Sequence, residues 1–182
     1  YFNFLTSLDL SSIIYLTFVS CTDNFLTSLD VSSATQLNTL ICNNNSLQYL
    51  DLSPNIGLFD LKCESNNIIY LNLQLNYALG ILECQNNSLN DLILSTNVSL
   101  WFLNCSNNYI STLDLSSNQS LRSITCNYNL LTTLDLSSNS SVYEVYCRSN
   151  NLSVLDFSSN PQLEVLNCRS NNLNSLDLSN NH

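Results

Sequence analysis

The chain contains no methionine, and its single histidine, His182, is the last residue. Without methionine, Tyr1 is not a translation start, so the sequence reads as a mature or excised piece of something longer. With only a terminal imidazole, no Ser–His–Asp set can form, and no enzyme activity is expected. Glycine is nearly absent too, at Gly57 and Gly80 alone, which excludes a glycine-rich phosphate loop. Basic residues are almost as scarce. Lys62, Arg122, Arg148 and Arg169 stand against fourteen Asp and Glu, for a formal net charge of -10. That balance repels phosphate backbones and argues against nucleic acid as a partner. No stretch approaches the roughly 18 apolar residues of a bilayer span, so no membrane insertion is expected. No basic-plus-apolar leader opens the chain either. Charged residues make up 10% of the total, so Ser, Thr and Asn must solvate most of the exterior.

What the chain does have is a period. Cys21, Cys42, Cys63, Cys84, Cys105, Cys126, Cys147 and Cys168 are spaced by 21 residues without one insertion or deletion. A fixed period of this size is the signature of a stacked repeat. Residues 1–182 then form one continuous solenoid of about 8.5 coils, expected to be a fragment that lacks its caps. Aligned on that period the consensus is LxxLxCxxNxLxxLDLSxNxx, as in Leu163 to Ser179. Leucine recurs at positions 8, 29, 50, 71, 92, 113, 134, 155 and 176 in every coil. The LxL and LxC segments alternate inward and outward with the period of a strand. The expected fold is therefore an all-β solenoid with two short parallel sheets facing one core and little or no helix. Asn24, Asn45, Asn66, Asn87, Asn108, Asn129, Asn150 and Asn171 follow each cysteine by three residues. A second series runs Asn55, Asn76, Asn97, Asn118, Asn139, Asn160 and Asn181. Asn tolerates turn geometry and bonds nearby backbone, so both series are expected at the corners of the coils.

Segments such as Leu100-Trp-Phe-Leu103-Asn-Cys105-Ser-Asn-Asn108-Tyr-Ile110 resemble the LxxLxLxxNxL half of the leucine-rich repeat family, with Cys at the third apolar position. The second half, LxxLDLSxN, mimics the first. That nesting resembles the bacterial 21-residue subclass called IRREKO, and the cysteine column is similar to the internalin J-type cysteine ladder of a listerial surface protein. The resemblance implies a curved or gently twisted solenoid in an extracellular or cell-surface protein that binds or adheres.

The cysteines are expected to be a structural spine. Stacked strands lie about 4.8 Å apart, near the lower part of the range a disulfide tolerates, and inward side chains on them point the same way. No close CxxC pair suggests zinc. Buried free thiols acting as small apolar residues fit the pattern best. No cofactor is implied.

The second candidate is the outward column Asp9, Asp30, Asp51, Asp114, Asp135, Asp156 and Asp177, interrupted by Asn72 and Ile93. Like charges at strand spacing repel, which raises some pKa values or invites a cation. Asp114, Asp135, Asp156 and Asp177 are a weak calcium possibility, because a straight ladder supplies few oxygens per ion. Bonding to neighbouring Ser or Thr hydroxyls and to backbone of the adjacent coil is the commoner use.

The third candidate is a binding surface on the outward side of the first sheet and its adjoining loop. Ile41, Phe59, Ile81, Trp101, Phe102, Tyr143 and Tyr146, with Phe18, belong to columns that should face solvent. Lys62 and Glu83 interleave with them. Exposed aromatics beside polar residues suit recognition of a protein or glycan. Two other uses remain open. One is a segment of a self-assembling extracellular filament built from copies end to end; the other is ice binding through regular hydroxyl columns. Asn-x-Ser sequons occur at Asn44, Asn86, Asn97, Asn118, Asn139 and Asn151, as so much Asn and Ser makes inevitable.

Overall fold

The computed structural model describes residues 3–181, so Tyr1 and the lone His182 lie outside the described residues. Eight three-residue strands follow one another: β1 (Phe18–Ser20), β2 (Thr39–Ile41), β3 (Asp60–Lys62), β4 (Ile81–Glu83), β5 (Phe102–Asn104), β6 (Ser123–Thr125), β7 (Glu144–Tyr146) and β8 (Val165–Asn167). They form one parallel sheet in chain order, and no helix occurs among the described residues. Register never slips: Val19 pairs with Leu40, Leu40 with Leu61, and so on through Val145 with Leu166. The central residue of each strand is the inward one, with half-buried or exposed neighbours on most strands, as the period-two alternation requires.

Hydrogen bonding runs on past the assigned strands. The Cys21 N–H donates to the Ile41 carbonyl at 2.9 Å and the Asp23 N–H to the Asn43 carbonyl at 3.1 Å. The same two rungs recur from coil to coil, for example Cys105 to Thr125 and Asn107 to Asn127, both at 2.9 Å. Between them the cysteine side chain turns inward. Cys42, Cys63, Cys84, Cys105, Cys126 and Cys147 have no exposed surface, and all eight cysteines are free thiols. Burial pushes the Cys105 and Cys147 thiols up to about 12, so they stay protonated and unreactive. Each fully buried Leu of the flanking columns adds about 1.5–3 kcal/mol of apolar stabilisation.

The first asparagine series ties successive coils together. Asn108 Oδ1 accepts the Leu89 N–H at 2.9 Å, while its amide donates to the carbonyls of Cys84 at 3.1 Å, Cys105 at 3.0 Å and Ser106 at 3.2 Å. Both ends of one side chain thus bridge two coils at a corner where backbone groups have no sheet partner. The second series uses only its amide. Asn118 donates to the carbonyls of Leu94 at 3.1 Å and Asn97 at 2.8 Å, and its buried Oδ1 has no partner.

Two expectations need correcting. The left-handed backbone falls one residue before the invariant asparagine, at Asp23, Asn44, Ser65, Asn86, Asn107, Tyr128, Ser149 and Ser170, with φ between 52° and 58°. The asparagine itself serves as a hydrogen-bonding bridge. The second parallel sheet is also missing. No backbone hydrogen bond joins LDL segments of neighbouring coils among the described residues. The chain turns at once after each LDL: the Asn55 N–H donates to the Leu52 carbonyl and the Leu58 N–H to the Asn55 carbonyl, both at 3.0 Å. Asn97 and Leu100 close the same turn where Ile93 replaces the Asp. The Asp adds a local bond, as Asp51 accepts the Ser53 N–H at 2.9 Å.

Candidate functional site

The apolar candidates lie where β3, β4 and β5 sit side by side. Ile81 of β4 pairs in register with Phe102 of β5, and both project outward. Ile41, Lys62 and Glu83 form the parallel row at the strands' other end. Just before the strands, Phe59, Gly80 and Trp101 occupy one column on three successive coils, linked by Gly80 N–H to Phe59 and Trp101 N–H to Gly80 bonds of 2.9 Å each. Gly80 is what lets this column close up. A Cβ on it would sit 2.7 Å from Phe59 Cζ, so the Phe59 ring lies down over the glycine. Trp101 and Phe102 meet edge to face with centroids 5.9 Å apart. Phe59, Ile81, Trp101 and Phe102 thus make one apolar ridge across three coils.

These side chains are less exposed than their columns suggest. Phe59 is 39% exposed and Phe18 54%, whereas Ile41, Ile81, Trp101, Phe102, Tyr143 and Tyr146 are all half-buried. Stacking against the next coil covers one side of each. Tyr143 sits in the Trp101 column two coils on, with Arg122 between them. Tyr146 is separated from Glu83 by Asn104 and Thr125, so it stands apart from the ridge.

A polar border runs along the ridge. Lys62 Nζ and a Glu83 carboxylate oxygen lie 2.7 Å apart, with about a quarter of each side chain exposed on average. Such a half-solvated pair contributes at most about 1 kcal/mol. Beyond it, Asn43 donates to Glu64 at 3.2 Å and Gln85 donates to the other Glu64 oxygen. Desolvation, reinforced by the Glu83 charge, raises the Glu64 pKa, and desolvation likewise raises that of Asp60.

The aspartate column behaves in the opposite way. Asp9, Asp30, Asp51, Asp114, Asp135, Asp156 and Asp177 all have lowered pKa values, because each carboxylate accepts from the Ser hydroxyl and N–H two residues on. Repulsion along the column is a minor opposing effect, so the expected rise does not occur. The partners belong to the same coil rather than the adjacent one. No group of three acidic, Cys or His side chains is placed to hold a metal ion among the described residues. Sequence reasoning missed Gly80, although one of two glycines in a column otherwise holding Thr17, Asn38, Phe59, Trp101, Arg122, Tyr143 and Glu164 was a readable signal.

A single parallel sheet on 21-residue coils, an asparagine corner and a buried thiol column define the class: the chain is a leucine-rich repeat protein of the cysteine-ladder type. It is 37% identical to the functional domain of InlJ from Listeria monocytogenes, which includes a cysteine ladder, with a TM-score of 0.96 over 98% of this chain and 40% of that one. The fold also matches the internalin InlF of Listeria monocytogenes at 18% identity and a TM-score of 0.86, covering 96% of this chain and 60% of that one. The ectodomain of the Arabidopsis thaliana receptor kinase GASSHO1/SCHENGEN3, solved in complex with CASPARIAN STRIP INTEGRITY FACTOR 2, matches at 22% identity and a TM-score of 0.73, over 82% of this chain and 21% of that one. The chain therefore spans well under two thirds of the length of InlJ. No protein-family model and no curated sequence matches it.

Proposed function

We propose that the chain is a non-catalytic recognition module of an extracellular or cell-surface protein, binding a protein partner through the outward face of its sheet. The observation that carries this reading is the ridge of Phe59, Ile81, Trp101 and Phe102, bordered by the Lys62–Glu83 pair. A rigid backbone presents it, aromatic side chains supply area at low entropic cost, and the charged border sets register. The likeness to InlJ, and the peptide-bound state of the plant ectodomain, support binding as the use of such a face. The mixed side chains along the sheet favour a shaped protein surface over a repetitive one.

The test is capture of surface proteins from a cell that the wild-type chain binds, followed by affinity measurement on the captured partner. Ile81→Ser with Phe102→Ser is expected to weaken binding by about tenfold or more while leaving the circular dichroism spectrum unchanged. Asp135→Asn on the other side of the coil is expected to leave it unaltered. Equal binding by the ridge variant would overturn the reading.

A further inference from the structure

Beside the ridge, sharing only Trp101 with it, lies a cleft. It is an open depression of about 500 Å³ lined by Ser99, Trp101, Gln119, Ser120, Arg122 and Ser141. Trp101 and Arg122 immediately precede β5 and β6, and the Arg122 N–H donates to the Trp101 carbonyl at 2.9 Å, which sets the two residues side by side on adjacent coils. Ser99, Ser120 and Ser141 recur at one position of three successive coils.

Arg122 is out of keeping with the rest of the molecule. It is one of four basic residues in a chain of net charge -10, and it is exposed. The one ion pair among the described residues is Lys62–Glu83, so no carboxylate among them holds the Arg122 guanidinium. A free guanidinium beside an indole, hydroxyls and an amide is a set of groups with complementary targets. The indole offers a flat apolar face, the serines and Gln119 offer hydrogen bonds in both directions, and the guanidinium offers a two-pronged site for a carboxylate.

We propose that this cleft binds a carboxylate-bearing sugar unit, such as a uronic acid residue within a glycan. Its ring stacks on Trp101, its carboxylate pairs with Arg122, and its hydroxyls meet Ser99, Ser120, Ser141 and Gln119. A neutral sugar leaves Arg122 unused. An acidic peptide bonds the serines through its amides but brings no hydroxylated ring to lay on the Trp101 face. The volume suits one or two sugar rings, at the small end of ligand pockets. The cleft shares Trp101 with the ridge, yet Arg122 and the serines take no part in it, so the two sites fail independently.

Trp101 is the only tryptophan, so its fluorescence reports on this cleft directly. The experiment titrates the chain with a galacturonic acid trisaccharide, with the neutral galactose trisaccharide, and with a tri-aspartate peptide. A saturable change is expected for the acidic sugar, weakening as salt is added, with the neutral sugar and the peptide about tenfold weaker or worse. Arg122→Gln should lower the acidic-sugar affinity about tenfold, whereas Arg148→Gln and Ile81→Ser should not move it. No saturable change, equal binding of the neutral sugar or the peptide, or an unaltered affinity in Arg122→Gln would each overturn the proposal. Because Arg122 is exposed, the fold is expected to survive its replacement, with circular dichroism as the check.

Discussion

The two long sides of each coil solve the same problem in opposite ways. On the sheet side the backbone is regular, with β1 to β8 bonded in unbroken register, while the outward side chains vary freely from Asp60 to Ile81 to Phe102 to Ser123. On the LDL side no sheet forms, yet the outward residues hardly change: Asp and Ser alternate on almost every coil. Where backbone satisfies backbone, side-chain identity is released for recognition. Where a side chain must satisfy the backbone, its identity is pinned. Variation along a solenoid therefore marks where its structure has no further claim on the residue, and here that is the sheet face and the cleft beside it.

The comparison breaks most sharply at the two asparagine series. Asn108→Ala strips the Leu89 N–H of its acceptor inside the protein and should cost about 3 kcal/mol in denaturant unfolding. Asn118→Ala should cost about 1–2 kcal/mol, because the Leu94 and Asn97 carbonyls keep the Asn97 and Leu100 N–H groups as partners and an unpaired oxygen disappears. Equal losses would mean that the bridging geometry of Asn108 has no special value. A smaller effect of the opposite sign is expected at Tyr128, a bulky residue with φ of 53°. Tyr128→Asn should stabilise by roughly 0.5 kcal/mol, the relief of left-handed strain being partly offset by loss of its contact with the Arg148 guanidinium, 5.3 Å above the ring.

Acid separates the two sides as well. The ladder carboxylates have lowered pKa values in the fold, so their stabilisation is complete above the ordinary value near 4 and is lost as pH falls through the folded values beneath it. Asp60 and Glu64 have raised values, so they oppose folding at neutral pH and cease to do so as pH falls through their folded values. Melting temperature should thus rise slightly as pH falls through the raised values of Asp60 and Glu64 and drop once it falls below about 4. Asp60→Asn should flatten the first limb. Asp135→Asn should soften the second with a small loss at pH 7, since an amide keeps the backbone bond at this position, as Asn72 does from Gln74 at 3.1 Å, but carries no charge. The smallest change is expected at Ile93, where the Asp is missing: Ile93→Asp should raise the urea midpoint at unchanged slope.

The core and corners were legible because each coil must present the same atoms to the next: Leu, Cys and Asn recur wherever a side chain touches its own copies. The left-handed position was harder to see: it holds Asp, Asn or Ser on seven coils and Tyr128 on the eighth, and the invariant asparagine directly after it drew the eye instead. The LDL segment misled by its alternation, which buries Leu50 and Leu52 on one side as a strand would. What the alternation did not show was the double turn that follows at once, Asn55 N–H to the Leu52 carbonyl and Leu58 N–H to the Asn55 carbonyl, which ends the extended stretch before a ladder forms. Arg122 escaped notice for another reason: its cleft is assembled from residues about 20 apart, and no local motif announces it.

The asparagine bridges also set how the molecule yields to tension. Each one clips a coil to its predecessor, as Asn66 does by donating to the Cys42 carbonyl at 3.0 Å, 24 residues back. A pull applied at one end loads a single clip at a time, because no bridge skips a coil. Lengthening should proceed in uniform steps, each paying out one coil of thread, about 70 Å of contour for 21 residues. The chain is a ratchet strap whose teeth are amides.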